Sequence, residues 1–189
     1  DIFNSITVHT PSVSAIIAIV LAGVLLLASG FASASEIAFF SLSPSDRNDI
    51  DERNHPSDDK ISALLGDTER LLATILITNN FVNVTIIMLC NFFFMNVFVF
   101  HSPLAEFLIL TVILTFLLLL FGEIMPKIYS AQKTLAFCRF SAPGIYFLEK
   151  VFRPIATVLV RSTTFLNKHF VKKSHNISVD ELSHALELT

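Results

Sequence analysis

Three groups of oxygen-bearing residues interrupt long apolar runs in this chain: Ser33 and Glu36, then Asn79, Asn80 and Asn83, then Gly122-Glu123 with Pro126 three residues on. A carboxylate at membrane depth costs several kcal/mol unless it meets water, a cation or a donor. Gly122 and Pro126 bracket Glu123 in a stretch where a helix is easily broken, and freed backbone carbonyls at that depth also need a partner. Asn79 and Asn83 are one turn apart and share a helix face, as do Ser33 and Glu36, three residues apart. A lone serine is normally satisfied by the carbonyl one turn back, and a lone asparagine by a bond across helices. Three asparagines within five residues are harder to assign to helix packing alone, so a packing role and a ligand role both stand at this point. Hydroxyl, amide oxygens, carboxylate and freed carbonyls form an all-oxygen set, which suits a hard cation such as Mg²⁺, Na⁺ or Ca²⁺ and argues against zinc or copper. The spacing does not choose among those ions. Six scattered histidines, none in a His-x-x-x-His pattern, add no metal-site signal.

The elements that must position these groups are membrane helices. Hydrophobic residues make up 53% of the chain and charged ones 15%, against roughly 45–50% and 25% in soluble domains. The charge is blocked: no Lys or Arg occurs in 1–46 or 71–126, and all 13 fall in 47–70 and 127–173. The fold class expected is an all-α membrane protein, with three transmembrane helices, short loop helices and an amphipathic juxtamembrane helix. After an extracytoplasmic segment over 1–11, the membrane domain runs over 12–142. Its helices are expected over 12–42, 71–100 and 104–121, each near or above the ~20 residues needed to span a bilayer. Between the first two lie loop helices over 44–66. Ser43-Pro44-Ser45-Asp46 carries the signature of a helix start, Ser57 offers a second cap, Gly66 a stop, and Asp67 a cap for the next long helix. This loop reads as a solvated connector. Pro143-Gly144 is expected to break the chain ahead of a basic amphipathic helix over 143–175, suited to an anionic membrane surface or a partner helix. Ser178-Val179-Asp180-Glu181 reads as a capping box opening a cytosolic regulatory region over 176–189. Cys90 and Cys138 are expected as unpaired thiols.

The clustering of Lys and Arg places the 43–70 loop and the C-terminal region in the cytosol and the N-terminus outside. Depths can then be compared. Ser33 lies about 15 Å above the inner loop and Asn79 and Asn83 about 18–24 Å, while Glu123 ends the inward-running third helix. All four fall in the inner half of the membrane.

Ser33-Ala34-Ser35-Glu36, Asn79-Asn80-Phe81-Val82-Asn83 and Gly122-Glu123-Ile124-Met125-Pro126-Lys127, in this order and spacing, resemble the transmembrane (DUF21) domain of the CorC/CNNM magnesium transporter family. The likeness runs from about residue 12 to 175. It implies a homodimer of three-helix units in the lipid bilayer of a bacterial inner membrane, exporting Mg²⁺ by alternating access with Na⁺ as coupling ion. A cytosolic CBS-type domain of the same full-length chain follows in the family. Nucleic acid is not an implied partner. Carried over position by position, the ion ligands fall on Ser33, Asn79, Asn83 and Glu123, with backbone oxygen from the Gly122 region. Glu36 and Asn80 match the bacterial pattern and rank lower, and Pro126 permits the helix to bend. Thr78 departs from the glycine common before the first asparagine. The C-terminal segment resembles a gliding-motility-associated bacterial branch. For that branch the alternative is a membrane scaffold or sensor, whose structural cation site anchors a cytosolic module. An enzyme is not expected, since no nucleophile-base-orienter set is present.

Overall fold

The structure, a computed structural model, describes the backbone of residues 6–100 and 103–186 and most side chains of residues 9–162. His101 and Ser102, where the sequence places a tight turn, and residues 1–5 lie outside the described residues. Three helical stretches are long and apolar enough to cross a membrane: Val13–Phe40, Thr68–Val97 and Leu110–Gln132. The protein is an all-α membrane protein. Its one β element among the described residues is a short antiparallel pair, β1 (Ile6–Val8) with β2 (Phe98–Phe100), in the register Ile6 to Phe100 and Val8 to Phe98.

Helix α1 (Val13–Phe40) starts at Ser12, whose Oγ accepts the Ala15 N–H. Helix α2 (Pro44–Asp51) begins as its sequence dictates, with Ser43 and Asp46 forming a reciprocal capping box and Pro44 at the first helical position. Ser57 does not cap α3 (Asp58–Leu65). The Asp58 carboxylate instead accepts the His55 N–H at 2.9 Å, while the Ser57 N–H donates to His55 Nδ1. Asp67 caps α4 (Thr68–Val97) by accepting the Arg70 N–H. α4 is therefore shorter at its far end than the expected 100, because Phe98-Val99-Phe100 leaves the helix to pair with β1.

α1 and α4 pack antiparallel around two apolar clusters. One joins Ala22 to Val82, Ile86, Cys90 and Leu114. The other, at the end carrying α2 and α3, joins Ala38 and Phe39 to Ile50, Ile61, Leu71, Ile75, Cys138 and Ile145. This second cluster contains a charge, which a solvated connector does not predict. Asp58 is fully buried and accepts two bonds from Arg139, Nε to Oδ1 at 2.9 Å and Nη2 to Oδ2 at 3.0 Å. Burial drives the Asp58 carboxyl upward, but the Arg139 fork and the His55 N–H outweigh it and hold it below the ordinary value. The same pair raises Arg139. Burial and the neighbouring Asp58 carboxylate push the Cys138 thiol up to about 12. Both cysteines are free, as expected, and both are buried.

The third span departs most from the sequence reading. α5 (Pro103–Leu117) continues without interruption into a π-helical segment (Leu118–Ile124) and then α6 (Met125–Gln132). The Gly-Glu-x-x-Pro motif thus lies inside a continuous helical rod rather than at its end, and Pro126 does not break it. Proline cannot donate an N–H and its ring clashes with the carbonyl four residues back. The wider π turn absorbs this: the Met125 N–H donates to Leu120 O, five residues back instead of four. Pro126 then has no N–H for Phe121 O or Gly122 O.

The C-terminal region is also more continuous than expected. α7 (Thr134–Leu186) runs through Pro143, Gly144 and Pro154, with no helix start at Ser178. An interior proline removes one hydrogen bond and bends the axis, but ends the helix only if packing does not hold both halves. Cys138 and Ala142 before Pro143 and Ile145 after it are all buried in one core. Gly144 lies against Phe31 so closely that a Cβ there would sit 3.0 Å from the ring.

Candidate cation site

Ser29 is the hub of the polar residues between the spans. It is fully buried on α1, and its Oγ lies 2.9 Å from Asn79 Oδ1 and 2.7 Å from Asn83 Oδ1 on α4. α1 and α4 bring these groups to one level because the antiparallel seam fixes their register, and the one-turn spacing of Asn79 and Asn83 lets both amides straddle one hydroxyl. From the third span, Gly122 closes on the same atom: a Cβ at Gly122 would stand 3.1 Å from Ser29 Oγ. One turn along, Gly30 admits Pro126, whose Cγ would lie 3.0 Å from a Cβ there, with Phe121 O at 3.4 Å. Glycines at these two crossings let the π segment approach α1 to backbone distance.

Both amides turn their oxygens, rather than their NH2 groups, toward one hydroxyl. A hydroxyl carries one donor hydrogen, yet two amide oxygens lie within hydrogen-bond reach of Ser29. One of the two contacts therefore sets oxygen against oxygen. Ser33, one turn away on the same face of α1, is fully buried and its Oγ has no partner among the described residues. A buried hydroxyl left unpaired costs about 1–3 kcal/mol. Two amide oxygens turned inward and an unpartnered hydroxyl are what a cation would draw together.

The structure sorts the sequence-derived ligands. Asn79, Asn83 and Gly122 come together around Ser29. Ser33 lies one turn nearer the α2–α3 end. Glu123, next to Gly122 in the π segment, is half-buried, and its carboxylate has no hydrogen-bond or ion-pair partner among the described residues. Glu36 is committed elsewhere, in an ion pair with Lys127 at 3.0 Å that ties α1 to α6. Asn80 is exposed on the far side of α4 and donates to Leu76 O. Nearby, Ser130 Oγ donates to Ala34 O and Thr78 Oγ1 to Thr74 O, so neither hydroxyl is free to donate again.

Ser29 is the residue that sequence reasoning missed as a ligand. In the sequence it is one of several small residues along the first helix. The available signal was its spacing of four from Ser33, which mirrors Asn79 and Asn83. A family model described as the cyclin M transmembrane N-terminal domain matches residues 19–189. No curated protein matches the chain.

Proposed function

Because the chain belongs to the cyclin M (CNNM) family of transmembrane domains, matched over nearly its whole length, we propose that it is a Mg²⁺ transport domain whose ion is gathered by Ser29, Asn79 and Asn83. Ser33, Glu123 and backbone oxygen of the Gly122 region complete the shell. The observation that carries this reading is the convergence of both amide oxygens, rather than their NH2 groups, on the Ser29 hydroxyl. The neutral oxygens strip little charge from the ion, so the Glu123 carboxylate supplies the electrostatic attraction that offsets dehydration. Mg²⁺ gives up water reluctantly and retains several waters in the site.

In this reading the α2–α3 end and α7 face the cytosol of a bacterial cell, in agreement with the confinement of all 13 Lys and Arg to 47–70 and 127–173. Mg²⁺ enters from that side and leaves outward, driven by inward Na⁺, with two copies forming the working unit. The π segment is the element that changes between states. Its carbonyls lack the Pro126 donor, so the turn can rewind at smaller cost than a regular helix.

The test is Mg²⁺ efflux from loaded proteoliposomes with and without external Na⁺. Efflux that requires Na⁺ and is abolished by Glu123→Ala and Asn83→Ala supports the proposal. Efflux unchanged by both substitutions overturns the assignment. Mg²⁺-dependent stabilisation without flux would favour a scaffold or sensor with a structural ion.

A further inference from the structure

We propose that α7 is an interfacial helix that binds anionic phospholipid through its outward face. The inference is independent of the ion site. Six large apolar side chains of α7 are exposed; Leu159 borders α4, and the other five are Phe140, Phe147, Val151, Ile155 and Val158. At about 100° per residue they cluster opposite Cys138, Ala142, Ile145 and Ala156, which are wholly buried against the rest of the protein. The stripe is therefore the outer surface of a helix whose inner surface is fully used.

Its flank is cationic. Lys150, Arg153 and Arg161 lie along one side of the stripe, all exposed and none in an ion pair among the described residues. Glu149 is the single acid between residues 134 and 162, and it faces Arg70 at 3.8 Å. Arg139 is occupied by Asp58.

The depth of α7 follows from its partners. Glu149 meets Arg70, Phe152 stacks toward Phe81 with ring centroids 6.5 Å apart, and Leu159 shares a cleft with Leu72 and Leu76. α7 thus lies against the first 14 residues of α4, about 20 Å of a spanning helix. Its N-terminal part stacks on Phe31 of α1 through Phe137 and Phe140. A helix held against two spans at that level meets acyl chains and headgroups rather than bulk water. An apolar stripe with cations along one edge fits that boundary, with the aromatic and aliphatic groups in the acyl region and Lys150, Arg153 and Arg161 on headgroup phosphates. A second copy fits the same face poorly, since it would bring an equally cationic flank alongside the first.

The chain contains no tryptophan, so Phe147→Trp supplies a unique fluorophore on the stripe. In nanodiscs its emission should be blue-shifted and quenched by brominated acyl chains. Lipid retained after mild detergent extraction, read by native mass spectrometry, should favour phosphatidylglycerol over phosphatidylcholine. Each cation near an anionic surface contributes about fivefold. Lys150→Gln, Arg153→Gln and Arg161→Gln together should therefore lower that preference on the order of 100-fold while leaving thermal unfolding in detergent unchanged. Val158→Trp, at the other end of the stripe, gives the same readout if the first variant does not fold. Water-like, unquenched emission overturns the proposal. So does protection of the tryptophan that disappears on dilution, which assigns the face to a second copy, or a lipid preference indifferent to the three substitutions.

Discussion

Replacing Ser29 by alanine isolates the chemistry of the candidate site. The hydroxyl touches both Asn79 Oδ1 and Asn83 Oδ1, and its loss strips two acceptors of their shared donor at a cost of about 1–3 kcal/mol. Asn79 and Asn83 are one turn apart and can then pair with each other, which keeps the cost toward the lower end. That loss is independent of any ion. The informative quantity is the extra stability conferred by Mg²⁺. At a free concentration of 100 times Kd, a ligand that binds only the folded state adds about 2.7 kcal/mol. A roughly 30-fold weaker site, within the range seen when even an outer-shell partner of a ligand is lost, leaves about 0.9 kcal/mol at the same concentration. Thermal unfolding in detergent with and without Mg²⁺, for wild type and Ser29→Ala, measures both terms. Equal Mg²⁺ stabilisation of the two proteins would refute the reasoning and reduce the cluster to an ordinary interhelical hydrogen bond.

Other outcomes follow from the same geometry. Gly122→Ala places a methyl 3.1 Å from Ser29 Oγ; it should destabilise by about 1–3 kcal/mol and weaken the Mg²⁺ shift, read in the same unfolding assay. Glu36→Gln and Asn80→Ala should leave that shift within about twofold, because Glu36 is held by Lys127 and Asn80 points away from the cluster; the part-exposed ion pair itself is worth no more than about 1 kcal/mol. Asp58→Asn leaves Arg139 without its partner in the apolar core and should cost about 3–5 kcal/mol in denaturant unfolding. The folded-state pKa of Asp58 lies below its ordinary 3.8, so the pair's contribution is fully present above that value and is lost as pH falls through the depressed one. Stability of the wild type should therefore drop on acidification below about pH 4, and Asp58→Asn should show a shallower drop over the same window.

Much of the architecture was legible because it is local. Uncharged apolar runs fix the spans, Ser43-Pro44-Ser45-Asp46 fixes a helix start, and Asp67 caps the next helix, each through atoms within a few residues. What escaped depends on partners distant in sequence. Ser29 reads as one small residue among many until α4 places two amide oxygens on it. Pro126 reads as a breaker because the sequence does not reveal that a π turn will supply the missing room. Pro143 and Gly144 read as an interruption, yet the core holding Cys138, Ala142 and Ile145 keeps the helix continuous. Asp58 looked like one acid in a polar loop, and only the packing of α3 on α7 shows it buried on Arg139. Of the residues read from sequence as candidate ligands, Asn79, Asn83 and Gly122 lie around Ser29, whereas Glu36 is paired with Lys127.

The central claim is that Ser29, Asn79 and Asn83 hold a divalent cation. Crystals grown with Mn²⁺ in place of Mg²⁺ test it most directly through anomalous difference density. The account predicts one peak per chain within bonding distance of Ser29 Oγ, Asn79 Oδ1 and Asn83 Oδ1, absent from the Asn83→Ala protein. A peak elsewhere, or none while the Ser29 hydrogen bonds persist unchanged, would contradict it.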